Sequence, residues 1–272
     1  MLQLIVEEAQ TLKSFTENNY AQGSFFWSQL LKKKDIKVND KKVGEDIMLS
    51  KGDKVTYYLP LKQEQKPAFY SVYEDENILI VDKESGVNSE AVFAALKRQG
   101  EYYFVHRLDR NTRGLLVFAK SHESNSVLLD AFKDRAVEKR YHALCFGTAN
   151  PKETVLTAYL KKEEARSLVK IFDTPAHGAE KIITAYRVLN ESEETSLLEV
   201  SLHTGKTHQI RAHLAHIGLP IVGDMKYGVT DKNRALGVSR QRLVAYSLRF
   251  SLQGKFSYLN EKNFLSRFSA EL

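Results

Sequence analysis

The sequence predicts an α+β protein. A small α+β module spans residues 1–62, and a larger domain over residues 63–272 is built around a mixed, mostly antiparallel β-sheet with flanking helices. Three observations carry this expectation. Strand-like runs follow one another with only a few short helical stretches between them and no regular βαβ rhythm, the pattern of an α+β sheet. A polar, proline-bearing stretch, residues 61–70, separates the two parts as a linker. A length of 272 residues accommodates one domain of ordinary size plus an accessory module.

In the front module, Leu12, Phe15 and the stretch Phe25–Leu31 place apolar side chains at helical spacing, with Ser24 as the expected N-cap of the second helix. Asn39-Asp40 is a turn signal between the short apolar runs Ile36–Val38 and Lys42–Val43, which read as a hairpin. Lys51-Gly52-Asp53 marks a second turn, leading into the alternating strand Val55–Leu59. Two short helices, then small strands carrying I-x-V-N-x-x-x-V and L-x-x-G-D-x-V, with lysines clustered at the second helix, resemble an S4-type RNA-binding domain. The first helix is degenerate, and the arginines common in that family are absent.

Beyond the linker, Ile78–Val81 reads as a buried strand, Val92–Lys97 as a helix stub and Leu115–Ala119 as a continuous apolar strand from the middle of a sheet. Ser124–Phe132 reads as a helix, and Tyr141–Phe146, Lys181–Val188 and Leu197–Leu202 as strands. His208–Ile217 is an expected helix ended by Gly218 and Pro220.

Composition narrows the class. Hydrophobic content of 43% and charged content of 27% are those of a globular chain. Cys145 is the single cysteine, which excludes an internal disulfide and a Cys-based zinc site. No segment reaches the run of about 18 apolar residues needed for a membrane span, and the N-terminus reaches Glu7 and Glu8 with no basic leader. A cytoplasmic protein is expected. The net charge of +6 permits a polyanionic partner. Every basic residue before Arg98 is lysine, so contacts that need the planar guanidinium fork are expected later in the chain.

Three stretches could carry chemistry. The first runs from Phe104 to Lys120, where Asp109 sits among His106, Arg107, Arg110 and Arg113. Such a concentration of cations favours a charged acid, the form a nucleophile needs, although a surface salt-bridge cluster would look the same. The second is Lys139-Arg-Tyr-His-Ala143, where Tyr141 is either a half-buried sheet residue or a stacking platform for a base. The third runs from Leu202 to Asp224. Its Thr204-Gly205-Lys206-Thr207 lacks the earlier glycine of a phosphate loop, because position 200 is Val. The loop could still open a helix whose N–H groups accept an anion. His203, His208, His213 and His216 match no metal-binding spacing, and no acidic residue lies between Glu199 and Asp224, so no metal is expected. On a helix, His208 and Arg211 would share a face.

Together these stretches resemble the sequence blocks of RluA-type pseudouridine synthases. H-R-L-D-x-x-T-x-G-L-L-x-F-A-K, K-x-Y-x-A and T-G-x-T-H-Q-I-R-x-H-L…G-x-P-I-x-G-D-x-x-Y-G occur in that order, and Arg242–Phe250 resembles the closing block. The resemblance covers roughly residues 65–255 and implies an RNA-modifying isomerase that needs no cofactor. By it, Asp109 is the nucleophile, Tyr141 stacks on the uracil and helps remove its C5 proton, and Arg211 pairs with Asp109. Arg107 matches the arginine that fills the gap left by a flipped nucleotide. His106, Arg110, Thr112, Lys139, Thr207, His208 and Gln209 complete the implied substrate contacts. The implied partner is RNA, ribosomal before transfer, with no membrane or obligate protein partner and a monomeric state. The chain departs from the family pattern at Arg113, where serine is usual. It departs again at Lys83–Glu90, which lacks the proline and histidine of K-P-x-G-x-x-x-H. A binding-only protein on the same scaffold is the alternative; the joint presence of Asp109, Tyr141 and Arg211 argues against it.

Overall fold

The apolar runs sort into two main sheets of unequal size. The computed structural model describes residues 1–163 and 167–271. The front part comprises strands β1 (Leu2–Ile5) and β2 (Gln10–Thr11), then helices α1 (Leu12–Asn19), α2 (Ala21–Phe25) and α3 (Trp27–Lys33). Strands β3 (Ile36–Val38), β4 (Lys41–Val43), β5 (Met48–Leu49) and β6 (Lys54–Tyr57) follow. Four of these strands form an antiparallel sheet in the order β1-β6-β3-β4. The β3–β4 turn is the expected one: Asn39 and Asp40 hold positive φ of 48° and 66°, which these two residue types tolerate. Leu12, Phe15, Leu30, Ile36, Val55 and Tyr57 close a separate small core against this sheet.

Two local expectations fail here. Thr11 caps α1, its hydroxyl accepting from the Ser14 N–H at 3.1 Å, but Ser24 caps nothing. Ser24 lies inside α2 with its hydroxyl donating back to the Tyr20 carbonyl, because a helical backbone directs a serine to the preceding turn. Nor is 61–70 an open linker. It forms the helical turn α4 (Leu61–Glu64) and then enters strand β7 (Phe69–Glu74).

The rest of the chain gives β8 (Ile78–Lys83), α5 (Ser89–Lys97), β9 (Tyr103–Phe104), β10 (Arg113–Ala119), α6 (His122–Lys133), β11 (Val137–Phe146) and β12 (Glu153–Glu163). It continues with β13 (Leu168–Phe172), β14 (Glu180–Glu191), β15 (Thr195–Leu202), α7 (Gln209–His216), α8 (Thr230–Ala235), β16 (Leu243–Phe250) and β17 (Phe264–Leu265). The large sheet runs β13-β12-β14-β15-β11-β16-β10-β8-β7, with β9 and β17 pairing at its side. Only β10 and β16 pair in parallel among the described residues, so the sheet is mixed and mostly antiparallel, as expected. From Leu115 to Ala119 strand β10 is apolar because both its faces are covered. Leu116 and Phe118 pack with Val92 and Leu96 of α5, while Leu115 and Val117 pack with Leu128 of α6. Strands β12 and β13 escaped the sequence reading, since β12 carries alternating exposed residues and ends in Lys161, Lys162 and Glu163.

The front module docks on the large domain. Ala21 joins the main core, Asn88 Nδ2 donates to Asn18 Oδ1 at 2.9 Å, Arg98 donates to the Asn19 carbonyl, and Glu17 pairs with Arg110. The loop after β9 is thus fastened on its far side by the module.

Gly114 lets that loop enter the sheet. Its φ is +111°, and a Cβ there would lie 2.3 Å from the Ala245 carbonyl oxygen across the parallel pair. Replacing Gly114 by alanine is expected to destabilise the fold by roughly 2 kcal/mol or more, from backbone strain plus the clash. Urea denaturation of the variant, compared with Gly100→Ala, where the added carbon meets only Tyr102 at 3.6 Å, tests this.

Candidate active site

A cleft of about 590 Å³ opens where the loop after β9, the middle of β11 and the start of α7 meet. Asp109 is the only carboxylate among its described lining residues. It faces a basic wall that includes Arg107, Lys133, Arg135, Lys139, Lys206 and Arg211.

The Asp109 loop is pinned from several directions. A tight turn closes with the Thr112 N–H donating to the Asp109 carbonyl at 3.0 Å. Ser89 at the start of α5 bonds both the N–H and the carbonyl of Leu108. Beneath the loop lies Lys83, fully buried, whose ammonium donates to the carbonyls of Glu84, Val87 and Arg110 at 3.0, 2.8 and 3.1 Å. Burial pushes its pKa down to about 7 against the opposing pull of Asp109, Glu84 and Glu90. The sequence named Lys83 only as the first residue of the altered block; that it is a buried lysine closing β8 appears in the structure.

The cation that holds Asp109 comes from far along the chain. Arg211, its side chain 6% exposed, donates from Nη1 to Asp109 Oδ2 at 2.9 Å. Its other edge grips Asp224, with Nε to Oδ2 at 2.7 Å and Nη2 to Oδ1 at 3.0 Å. Asp224 is completely buried and also accepts the N–H groups of Lys226 and Tyr227. Burial works to raise the Asp224 pKa, but the Arg211 bonds and charge, with the two N–H groups, overcome it and hold the acid below its usual 3.8. Asp224 is the residue the sequence reading missed, although it ends the third block.

The cations flanking Asp109 in sequence do not pair with it. Arg107 meets Glu90 at 3.2 Å, and Arg110 is engaged by Glu17 and the Gly86 carbonyl. Arg113 bonds Glu84 at 2.9 Å and lies over the Phe268 ring. Glu84 and Arg113 stand where the family pattern has proline and serine, so these two departures face each other as one ion pair. His106 is a wall residue: its ring stacks on Phe132, and its Nε2 accepts the Val117 N–H at 3.1 Å. Burial, then Lys139, drive its pKa down to about 3, so it is neutral.

Tyr141 sits at a register shift in the β11–β16 pairing. Arg140 pairs with Ser247 and Tyr141 with Ala245, leaving Tyr246 as the extra residue. Such a bulge re-aims a side chain, and Tyr141 lines the cleft. Burial, with Asp109's charge as a second cause, raises its phenol pKa, so the hydroxyl stays protonated.

His208 does not open the helix as expected. It takes left-handed φ of 55°, and α7 starts at Gln209. From there His208 Nε2 lies 3.9 Å from Asp109 Oδ2, and Nδ1 shares a hydrogen bond with the Tyr227 hydroxyl. That hydroxyl also accepts the Val169 N–H at 2.8 Å, which fixes the phenol beside the imidazole. His208 and Arg211 thus converge on Asp109.

Of the other expected contacts, Lys139 lines the cleft with no carboxylate partner among the described residues, and Thr207 lines it with no side-chain hydrogen bond there. Arg110, Thr112 and Gln209 also bond within the protein, and Thr112 and Gln209 line the cleft. Thr112 accepts from Gln241, and Gln209 bonds Thr204, the Lys206 N–H, the Ile183 carbonyl and Thr184, fixing the loop 204–206. Of the other histidines of the third block, His203 lines the cleft, while His213 bonds Thr184 and His216 pairs with Asp173. No cluster with metal-binding potential occurs among the described residues.

Asp224→Asn leaves Arg211 with half of its buried charge unopposed and is expected to cost about 3–5 kcal/mol at neutral pH. Because the folded-state pKa is lowered, the wild-type contribution is present above 3.8 and is lost as pH falls below it. Melting temperatures measured from pH 7 down to pH 3 should therefore fall less steeply at the acid end in the variant.

Residues 65–216 match the family model described as RNA pseudouridylate synthase. The chain is similar to the ribosomal large subunit pseudouridine synthase C of Rickettsia felis, with 32% identity covering 73% of this chain and 74% of that one. Against the protein of the same name from Vibrio cholerae the identity is 30%, covering 84% and 76%. Among solved structures, human RNA pseudouridylate synthase domain containing 1 aligns with a TM-score of 0.59 and 26% identity over 68% of this chain and 79% of that one. The chain belongs to the RNA pseudouridylate synthase family.

Proposed function

We propose that this protein converts selected uridines of a structured RNA to pseudouridine, with ribosomal RNA the first candidate and transfer RNA the second, and that Asp109 is the nucleophile. One observation carries the assignment of roles: a single carboxylate, gripped by a buried arginine, faces a buried tyrosine inside a basic cleft. The ribosomal preference draws on the names of the relatives.

The reaction is an isomerisation and balances without a cofactor. The N1–C1′ bond of the uridine breaks, a C5–C1′ bond forms, C5 loses a proton and N1 gains one. Asp109 attacks the extruded nucleotide so that the glycosidic bond opens. Arg211, fixed by Asp224, keeps the reacting oxygen aimed. The Tyr141 ring supplies a stacking face for the uracil. In the resting cleft the Asp109 charge is one of the two influences that keep the phenol protonated. Once the C5–C1′ bond has formed, the Tyr141 phenol relays the proton, giving its own to N1 and taking up the one that leaves C5. Arg107, Lys139, Thr207 and His208 are the proposed RNA contacts.

The front module is proposed to add RNA affinity. Lys32, Lys33 and Lys34 end α3 on exposed surface, and Lys41 and Lys42 follow on β4. Such a face tracks phosphates and makes binding salt-sensitive. We place the enzyme in the cytoplasm as a monomer.

Tritium release from C5-labelled RNA, taken from cells lacking the protein, tests the reaction. Wild type is expected to release tritium. Asp109→Asn is expected to bind RNA and release none, and release by the variant would remove Asp109 from the role of nucleophile. Tyr141→Phe should retain binding and lose about 10²–10⁴-fold in release rate, the usual size of a proton-transfer contribution.

A further inference from the structure

Arg107, two residues before Asp109, stands at the cleft with its side chain 67% exposed. Its carboxylate neighbour is Glu90, at the first turn of α5, with Nη1 and Oε1 3.2 Å apart. No other carboxylate among the described residues comes within ion-pairing reach of Arg107. The contact is one-sided: the second oxygen, Oε2, is buried and has no hydrogen-bond partner. A pair built for stability engages both carboxylate oxygens in a fork, as Arg211 does with Asp224. This pair engages one oxygen, on the solvent side, where such contacts hold weakly.

The asymmetry has a mechanical meaning. Arg107 is the cation that pairs with a half-buried acid, so drawing it away leaves both Glu90 oxygens without a partner and only the buried Lys83 as nearby positive charge. That penalty acts as a restoring pull on Arg107. A phosphate arriving at the cleft competes with Glu90 for the same guanidinium and meets Glu90's negative charge beside it. Arg113, by contrast, is fixed by Glu84 and Phe268, and Arg110 by Glu17 and Gly86. Of the three arginines in this loop, Arg107 is the one positioned to change partner.

We propose that Glu90 is the resting partner of Arg107 and sets the threshold for RNA uptake. A polyanion that offers only phosphates is resisted, and an RNA that also fills the cleft draws Arg107 across. The proposal rests on reading the cleft as an RNA site and adds to it a residue that governs discrimination.

The test uses the full chain carrying Asp109→Asn and the homopolymer poly(C), which has no uridine to react. Filter binding is measured over a range of salt for this parent and for Glu90→Gln and Glu90→Ala built on it. Both are expected to bind poly(C) about three- to tenfold more tightly, with the slope of log K against log salt steeper by about 0.7, as one added phosphate contact on a single strand requires. Adding Arg107→Ala must erase the gain. A gain that survives it would be a general charge effect and would overturn the proposal. So would unchanged or weakened binding in the alanine variant, provided its melting curve matches the parent's. Tritium release by proteins retaining Asp109 is read separately. Tighter poly(C) binding with no release from any RNA would leave Glu90's role standing and overturn the synthase reading, whereas release with unaltered poly(C) binding would do the reverse.

Discussion

Arg211 between Asp109 and Asp224 is the interaction on which the site depends. A guanidinium this deeply enclosed requires opposite charge, and the two acids provide it from opposite edges. Asp224 takes the bidentate grip and fixes the plane of the group, which sets the direction in which Nη1 donates. Asp109 lies in that direction, 102 positions away in sequence. Much of the surrounding architecture keeps these two residues together. Gly114 permits the close approach of β10 to β16, Ser89 and Lys83 hold the loop by its backbone, and Gln209 shapes the entry to α7. Each of these four restricts where Asp109 can be.

The two unusual segments of the chain make sense when viewed in space. Glu84, just past the end of β8, and Arg113, the first residue of β10, satisfy each other, with Phe268 of the C-terminal tail covering the guanidinium. Glu90 and Arg107 form the second meeting of the same segments, half-satisfied. The segment 83–90 thus faces the Asp109 loop with two acids, and the loop answers with two arginines.

Much of this was legible from residue order. Continuous apolar runs marked β8 and β10 because both faces of the sheet are covered there, and the Asn39-Asp40 turn declared its hairpin through backbone tolerance alone. Asp109, Tyr141 and Arg211 stood out through their motifs, and the structure gathers them around one cleft. What escaped depends on distance in sequence. Local charge counting assigned Asp109 four cationic neighbours, yet side chains radiating from a tight turn point apart, and each found a partner elsewhere. Gln209 and Thr112 stood out as substrate contacts, and only tertiary structure reveals that each also bonds within the protein. Strands β12 and β13 were missed because strands with an exposed face carry the composition of loops.

The docking of the front module has a consequence for how such chains can be assembled from parts. Glu17 reaches across to Arg110, whose carbonyl is tied to Lys83 and whose neighbour is Asp109. The module therefore contributes to the wall behind the nucleophile's loop as well as a surface of its own. A module transplanted from another protein would have to bring a carboxylate to this same spot, or the recipient's Arg110 would lose its charged partner. Interchangeability of the two halves is limited by the contacts at their seam, and Glu17 is the one that reaches the nucleophile's loop.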